Sequence, residues 1–180
     1  MSWNIDNAHS LVSFTVRHMM ITNVRGRFDK LSGTVNFDEQ DPTRSSVDVQ
    51  IDASSVNTND DKRDEHLKSP DFFDVQKYPA ITFKSTKVET RDQANGKLYG
   101  DLTIHGVTKP VVLNVEYVGQ SKSPWGTTSA GFSARTKINR KDYGLEWNVA
   151  LETGGMLVGE DITIDIEVEI VKQPDAQPVA

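Results

Sequence analysis

The sequence predicts an all-β fold: an extended, eight-stranded antiparallel up-and-down barrel with one short helix at an end. Three observations carry that expectation. Apolar and polar residues alternate with the period of a β-strand along most of the 180 residues. Short turn signals separate the alternating runs. One charged stretch, residues 59–73, breaks the alternation and reads as a helix.

Taken in order, Val12, Phe14 and Val16 form the first apolar face, and Val35 and Phe37 repeat it. Val47, Val49 and Ile51 form the next run, and Ile81 and Phe83 open another after Pro79. Leu98, Leu102 and Ile104 follow, then Val111, Leu113, Val115 and Tyr117, then Ala130, Phe132, Ala134 and Ile138. The last run is the clearest: Ile162, Ile164, Ile166, Val168 and Ile170 on one face, with Thr163, Asp165, Glu167 and Glu169 on the other. Asp41-Pro42, Asn95-Gly96, His105-Gly106, Ser123-Pro124-Trp125-Gly126 and Gly154-Gly155 punctuate the runs. Asn95-Gly96 is read as a hairpin turn, and Gly154-Gly155 as a flexible loop. Such short connections force antiparallel neighbours. Closure into a barrel removes the edges that eight long strands would expose.

The helix has local support. Asn59 or Asp60 can cap it, and Asp60 and Asp61 sit at its positive end. Asp64 and Lys68 are spaced to pair, and Pro70 stops the helix. Arg63, His66 and Leu67 share one face. Residues 1–172 are expected to form one barrel domain, and the Pro-rich tail 173–180 to be disordered.

Composition narrows function. The chain carries 26 acidic against 20 basic residues, a net charge of -6, with no basic block. That argues against nucleic acid as a partner. No run approaches the roughly 18 apolar residues of a membrane span, so stable membrane insertion is not expected. The first residues read as strand, without the basic and apolar regions of a signal peptide. The expected location is cytoplasmic, or periplasmic if a leader has been removed. A homodimer is allowed as the assembly.

The absence of Cys removes thiolate chemistry, and no Gly-x-Ser-x-Gly elbow is present. His9, His18, His66 and His105 form no pair at metal-ligand spacing, so neither a metal nor a cofactor is expected. No catalytic residue is assigned. Two basic clusters remain: Arg17, His18, Arg25 and Arg27 around Met19-Met20-Ile21, and Arg63 with His66 on the helix. Arginine forks suit phosphate or carboxylate; the plain alternative is pairing with the abundant acids. Met19, Met20, Phe72 and Phe73 are expected to plug or gate one barrel end, methionine being a common choice for adaptable apolar surfaces.

Several stretches resemble the YceI-like family of lipocalin-like, polyisoprenoid-binding proteins. They are Trp3-Asn4-Ile5-Asp6 with His9-Ser10, Phe14-Thr15-Val16-Arg17-His18-Met19, and Val24-Arg25-Gly26-Arg27-Phe28. Arg63-Asp64-Glu65-His66-Leu67, Asp71-Phe72-Phe73 and Tyr78-Pro79-Ala80-Ile81-Thr82-Phe83 continue the series. Residues 100–108, from Gly100-Asp101-Leu102-Thr103 to Val107-Thr108, are especially specific, and residues 138–145 complete it. The resemblance implies a tubular apolar interior holding a long-chain amphiphile, with its polar head near the mouth.

The leading expectation is therefore non-enzymatic binding, storage or transport of an isoprenoid-type lipid, such as a polyprenyl phosphate or a quinone-like chain. The expected lining is Val12, Phe14, Val16, Met19, Met20, Phe72, Phe73, Phe83, Leu102, Ile104 and Phe132. Arg17, His18, Arg63 and His66 are expected at the head or gate. The alternatives are a fatty-acid-type cargo, an enzyme acting on a similar lipid through His18 or His66 with Asp64 as partner, and a fully packed barrel serving as an interaction module.

Overall fold

Alternation of β-branched and polar residues gives eleven strands, and the one stretch without it gives the one α-helix among the described residues. They are β1 (Ser2–Ile5), β2 (Leu11–His18), β3 (Thr22–Phe28), β4 (Leu31–Asn36), β5 (Ser46–Asp52), β6 (Val56–Asn57), α1 (Asp61–Lys68), β7 (Ala80–Thr90), β8 (Asn95–Ile104), β9 (Val107–Lys122), β10 (Thr128–Asn139) and β11 (Val158–Lys172). The structure is a computed structural model and describes residues 2–172. The tail at 173–180 lies outside them.

All strand pairings are antiparallel and join into one closed sheet. The eleven segments make eight staves, because three staves are broken by short irregularities. A 3-10 turn at Asn7–His9 separates β1 from β2, Asp29 and Lys30 separate β3 from β4, and a 3-10 turn at Ala53–Ser55 separates β5 from β6. β1/β2 runs between β3/β4 on one side and β11 on the other. The sheet closes where the first stave meets the last: β1 pairs with β11 at Trp3–Ile5 and β2 pairs with it from Leu11 to His18, while Trp3 also faces Val35 on β4.

The acids of β11 lie on its outer face, where Arg135 pairs with Asp165 at 2.6 Å and Ser133 donates to Glu167 at 2.8 Å. The inner face meets apolar residues of its neighbours: Ile164 opposite Phe14, Ile166 opposite Ala134, Val168 opposite Phe132. At one end Trp3, Ala130 and Ile170 are buried, and Phe37 packs edge-on to Phe132 at 5.2 Å. Through the middle, the inward residues Phe14, Val16, Ile162, Ile164 and Ile166 are only half-buried. A packed core would bury them fully, so the barrel is hollow there.

α1 starts at Asp60, whose carboxylate accepts the Arg63 N–H at 3.1 Å. The spacing had suggested an Asp64–Lys68 pair; instead Asp64 accepts from the Thr58 N–H at 2.9 Å and the Thr58 hydroxyl at 2.6 Å. Two short hydrogen bonds hold that carboxylate at the helix start, and Lys68 turns to Glu65 at 3.7 Å. Asn95-Gly96 is also not the turn itself. It begins β8, while Asp92 accepts from the N–H groups of Ala94 and Asn95, both at 2.8 Å, and shapes a longer loop. Gly154 and Gly155, both with positive φ, form the tip of a small hydrogen-bonded hairpin spanning 149–157.

The β10–β11 connection is held by Arg140, which is 3 % exposed. Its Nε donates to the Gly159 carbonyl at 2.8 Å and an Nη to the Leu145 carbonyl at 2.6 Å. Burial lowers its pKa, but the carbonyls solvate the charge. Tyr143 beside it is buried, and burial pushes its phenol up to about 12.

Two predictions follow from this connection. Arg140→Leu should cost about 3 kcal/mol, because two buried carbonyls lose charged donors, read as a lower urea midpoint. Tyrosine ionises near pH 10 in an unfolded chain, whereas Tyr143 holds its proton to about 12 when folded. Its contribution is intact below pH 10 and is lost as the pH rises toward 12. Tyr143→Phe should make alkaline stability fall less steeply over that window.

Candidate functional site

The hollow middle is a cavity of about 720 Å³, within the range typical of ligand sites. Its wall draws on all eight staves and on α1. Val12, Phe14 and Val16 line it from β2, Phe83 from β7, Leu102 and Ile104 from β8, and Phe132 from β10. Phe72 and Phe73 line it from the segment after α1. Met19 and Met20, expected in the lining, are absent from the wall: they lie in the exposed β2–β3 turn, 43 % and 55 % exposed.

Two glycines keep the lumen wide. The ring of Phe14 lies across Gly26 on the neighbouring strand, and a Cβ there would stand 2.3 Å from the ring. Phe83 covers Gly100 in the same way, at 2.4 Å. Both rings therefore lie along the wall instead of projecting across the lumen.

The two ends differ in charge. At the α1 end the wall includes Arg17, His18, Arg63, His66 and Arg140. Arg63 donates through Nε and Nη2 to the Thr58 hydroxyl and carbonyl, at 2.8 and 2.9 Å. His66 Nε2 lies 2.9 Å from Asp71 Oδ2, and its ring stands edge-on to Phe72 and Trp147 at 5.0 and 4.6 Å. The partner of His66 is thus Asp71, not Asp64, whose oxygen is committed to Thr58. Arg17 is exposed, with one Nη donating to Asn23 Oδ1 at 3.3 Å. At the other end the wall includes Glu39, Glu89, Asp92 and Lys97, with Gln93 and Gln120. Glu39 accepts from Gln120 at 2.6 Å and from Lys172 at 3.0 Å, which hold its carboxyl below the usual range.

Trp147 and Arg140 are wall residues that sequence reasoning did not assign. Trp147 lies in irregular chain with no periodicity to mark its face, and the signal available for Arg140 was only its place in the 138–145 motif. Metal-ligand spacing also missed one grouping. Asp6, His9 and Glu169 bring their donor atoms within 4.8 Å of one another on the outer surface. The His9–Asp6 hydrogen bond, at 2.8 Å, lowers the pKa of Asp6 and raises that of His9, so these two groups already satisfy one another.

A closed eight-stranded antiparallel barrel around an apolar lumen, with polar groups at its ends, defines a lipocalin-like barrel. Residues 3–170 match the YceI-like domain, and the chain belongs to that family. A UPF0312 protein of Vibrio cholerae is 43 % identical over 141 residues, covering 77 % of this chain and 74 % of its own. The crystal structure of the Campylobacter jejuni YceI protein superposes with a TM-score of 0.75 at 37 % identity, covering 88 % of this chain and 90 % of that one. A polyisoprenoid-binding domain from Saccharophagus degradans, implicated in plant cell wall breakdown, shares the fold with a TM-score of 0.67 at 18 % identity, covering 95 % and 98 %.

Gly26→Val should swing the Phe14 ring off the wall and into the lumen. Binding of an apolar environment-sensitive fluorophore should weaken about tenfold, with the fold retained, because overpacking at a lumen costs less than in a filled core. A variant structure with Phe14 unmoved would contradict this.

Proposed function

We propose that the protein binds a long-chain isoprenoid-type amphiphile in the lumen and carries or stores it without chemical change. The observation that supports this best is the half-buried apolar lining along the middle of the barrel. Covering each exposed Å² of that wall with hydrocarbon is worth roughly 25 cal/mol. Staves of about ten residues, tilted in the barrel, enclose a tube on the order of 30 Å long. A slim linear chain suits that shape better than a compact ligand. The Saccharophagus domain of the same fold is a polyisoprenoid binder, which agrees with this reading.

The charge difference between the ends favours one orientation. Arg63, His18 and His66, with Arg17 at the rim, receive the head, and the aromatic cluster of Phe37, Tyr117 and Phe132 receives the tail. An anionic head such as a phosphate can be met by the Nη1 side of Arg63, since Thr58 takes its Nε and one Nη2 donor. A fatty-acid-type head meets the same groups.

Native mass spectrometry of gently purified protein should show a co-purified lipid, and labelled polyprenyl phosphate should bind. Arg63→Met should weaken the phosphate-headed ligand about tenfold while leaving the matching alcohol nearly unchanged. Absence of both co-purified lipid and binding would defeat the proposal. The His66–Asp71 pair at the wall favours a second reading, acid–base chemistry on a bound lipid. Turnover of a lipid ester or pyrophosphate that disappears in His66→Ala, with binding intact, would establish it.

A further inference from the structure

The β2–β3 turn is built from residues that suit neither its backbone nor its exposure. Met19 and Met20 have φ of 52° and 66°, and the Ile21 N–H donates back to the His18 carbonyl at 3.2 Å. Two successive left-handed residues define the tight hairpin turn that Asn-Gly adopts at least cost. Here the positions carry methionines, and Ile21 beside them is 72 % exposed. Local folding therefore does not account for the side chains.

The turn is not isolated. The Met19 N–H donates to the Leu157 carbonyl, and the Leu157 N–H to the Val149 carbonyl, both at 2.8 Å. Met20 sits against Gly155, where an added Cβ would be 3.0 Å from its Cγ. Val149 and Met156 of that hairpin are 48 % and 40 % exposed. Met19, Met20, Ile21, Val149 and Met156 thus gather at the α1 end of the barrel. His18 and Leu157, which join this cluster to the barrel, line the lumen itself. Two guanidinium groups, Arg17 and Arg25, flank the cluster, and among the described residues neither is in an ion pair.

We infer that this cluster is a peripheral docking surface for a phospholipid bilayer, which brings the α1 end of the lumen against the membrane for exchange of a chain. The apolar tip enters the boundary between headgroups and acyl chains, and Arg17 and Arg25 meet lipid phosphates, the pattern of interfacial segments. The junction of tip and apolar lumen at Leu157 and His18 favours lipid over a protein partner as the occupant. The net charge of -6 removes any long-range attraction to anionic membranes. The drive is apolar, so docking should persist on zwitterionic vesicles when salt is raised. The purpose assigned to docking rests on the proposed lipid-carrier function; the docking itself does not.

The test is flotation of the full chain with phosphatidylcholine vesicles. The unmodified protein should float, and a triple variant, Met19→Asn, Met20→Gly and Ile21→Ser, should lose about tenfold or more in partitioning. That variant should melt no lower than the parent, since Asn-Gly suits the turn, which separates lost docking from lost folding. Trp125, 88 % exposed in the β9–β10 turn at the opposite end, supplies the control, and Trp125→Ser should float like the parent. The inference is overturned if the parent does not float, if the triple variant floats equally well, or if Trp125→Ser is the variant that fails. It is equally overturned if the cluster proves to be a dimer contact, lost in the triple variant without any vesicle binding by the parent. Lipid content by mass spectrometry is read separately: vesicle binding by a protein that never holds lipid would sink the carrier reading and leave the docking surface standing.

Discussion

The barrel exists because its first stave, β1/β2, pairs along its length with its last, β11. Both halves of the first stave bridge its neighbours, β1 between β4 and β11 and β2 between β3 and β11, and turn an open sheet into a cylinder. The Trp3 ring is fully buried, and its Nε1 donates to the Phe37 carbonyl at 3.3 Å. Once the ring of staves is closed, every alternate side chain must face a common interior. An eight-stranded cylinder is wide enough that side chains from opposite walls need not meet. Here they meet at the Trp3 end, through aromatic contacts, and leave a cavity of about 720 Å³ in the interior.

That geometry makes the lumen a property of the wall, not an accident of loose packing. Gly26 and Gly100 let Phe14 and Phe83 lie flat, so even the bulkiest wall residues leave the passage clear. The ends are finished differently. Around α1, a short helix tied by Asp60 and Asp64 presents Arg63 and His66 to the lumen, and Phe72 and Trp147 frame the histidine. At the other end Glu39 is neutralised by Lys172. An apolar tube with a cationic end and a neutralised acidic end is polarised along its axis, as an amphiphile is.

Much of this was legible in the sequence because β-barrels write their inside and outside at period two. Ile162 through Ile170 named the inner face of β11, and the acids between them named the outer one. The helix stood out because residues 59–73 lacked that period. Less legible were features set by contacts distant in the chain. Met19 and Met20 look like lining by composition, but the three-residue turn 19–21 places both outside the wall. Asp64 looked like a partner for Lys68 or His66, and Thr58, which precedes the helix, takes it instead. Trp147 lies in irregular chain, so only its packing on His66 and Phe72 reveals it. Glu169 comes beside His9 only because the sheet closes.

The proposed function requires that the lumen take a linear hydrocarbon along its axis. Crystallography of protein purified without delipidation tests it most directly. Continuous elongated density is expected along the lumen, from the His66–Trp147 end toward Phe132, with a polar terminus near Arg63. A lumen closed by collapse of Phe14, Phe83 and Ile164 onto one another, or filled only by separate ordered waters, would contradict it.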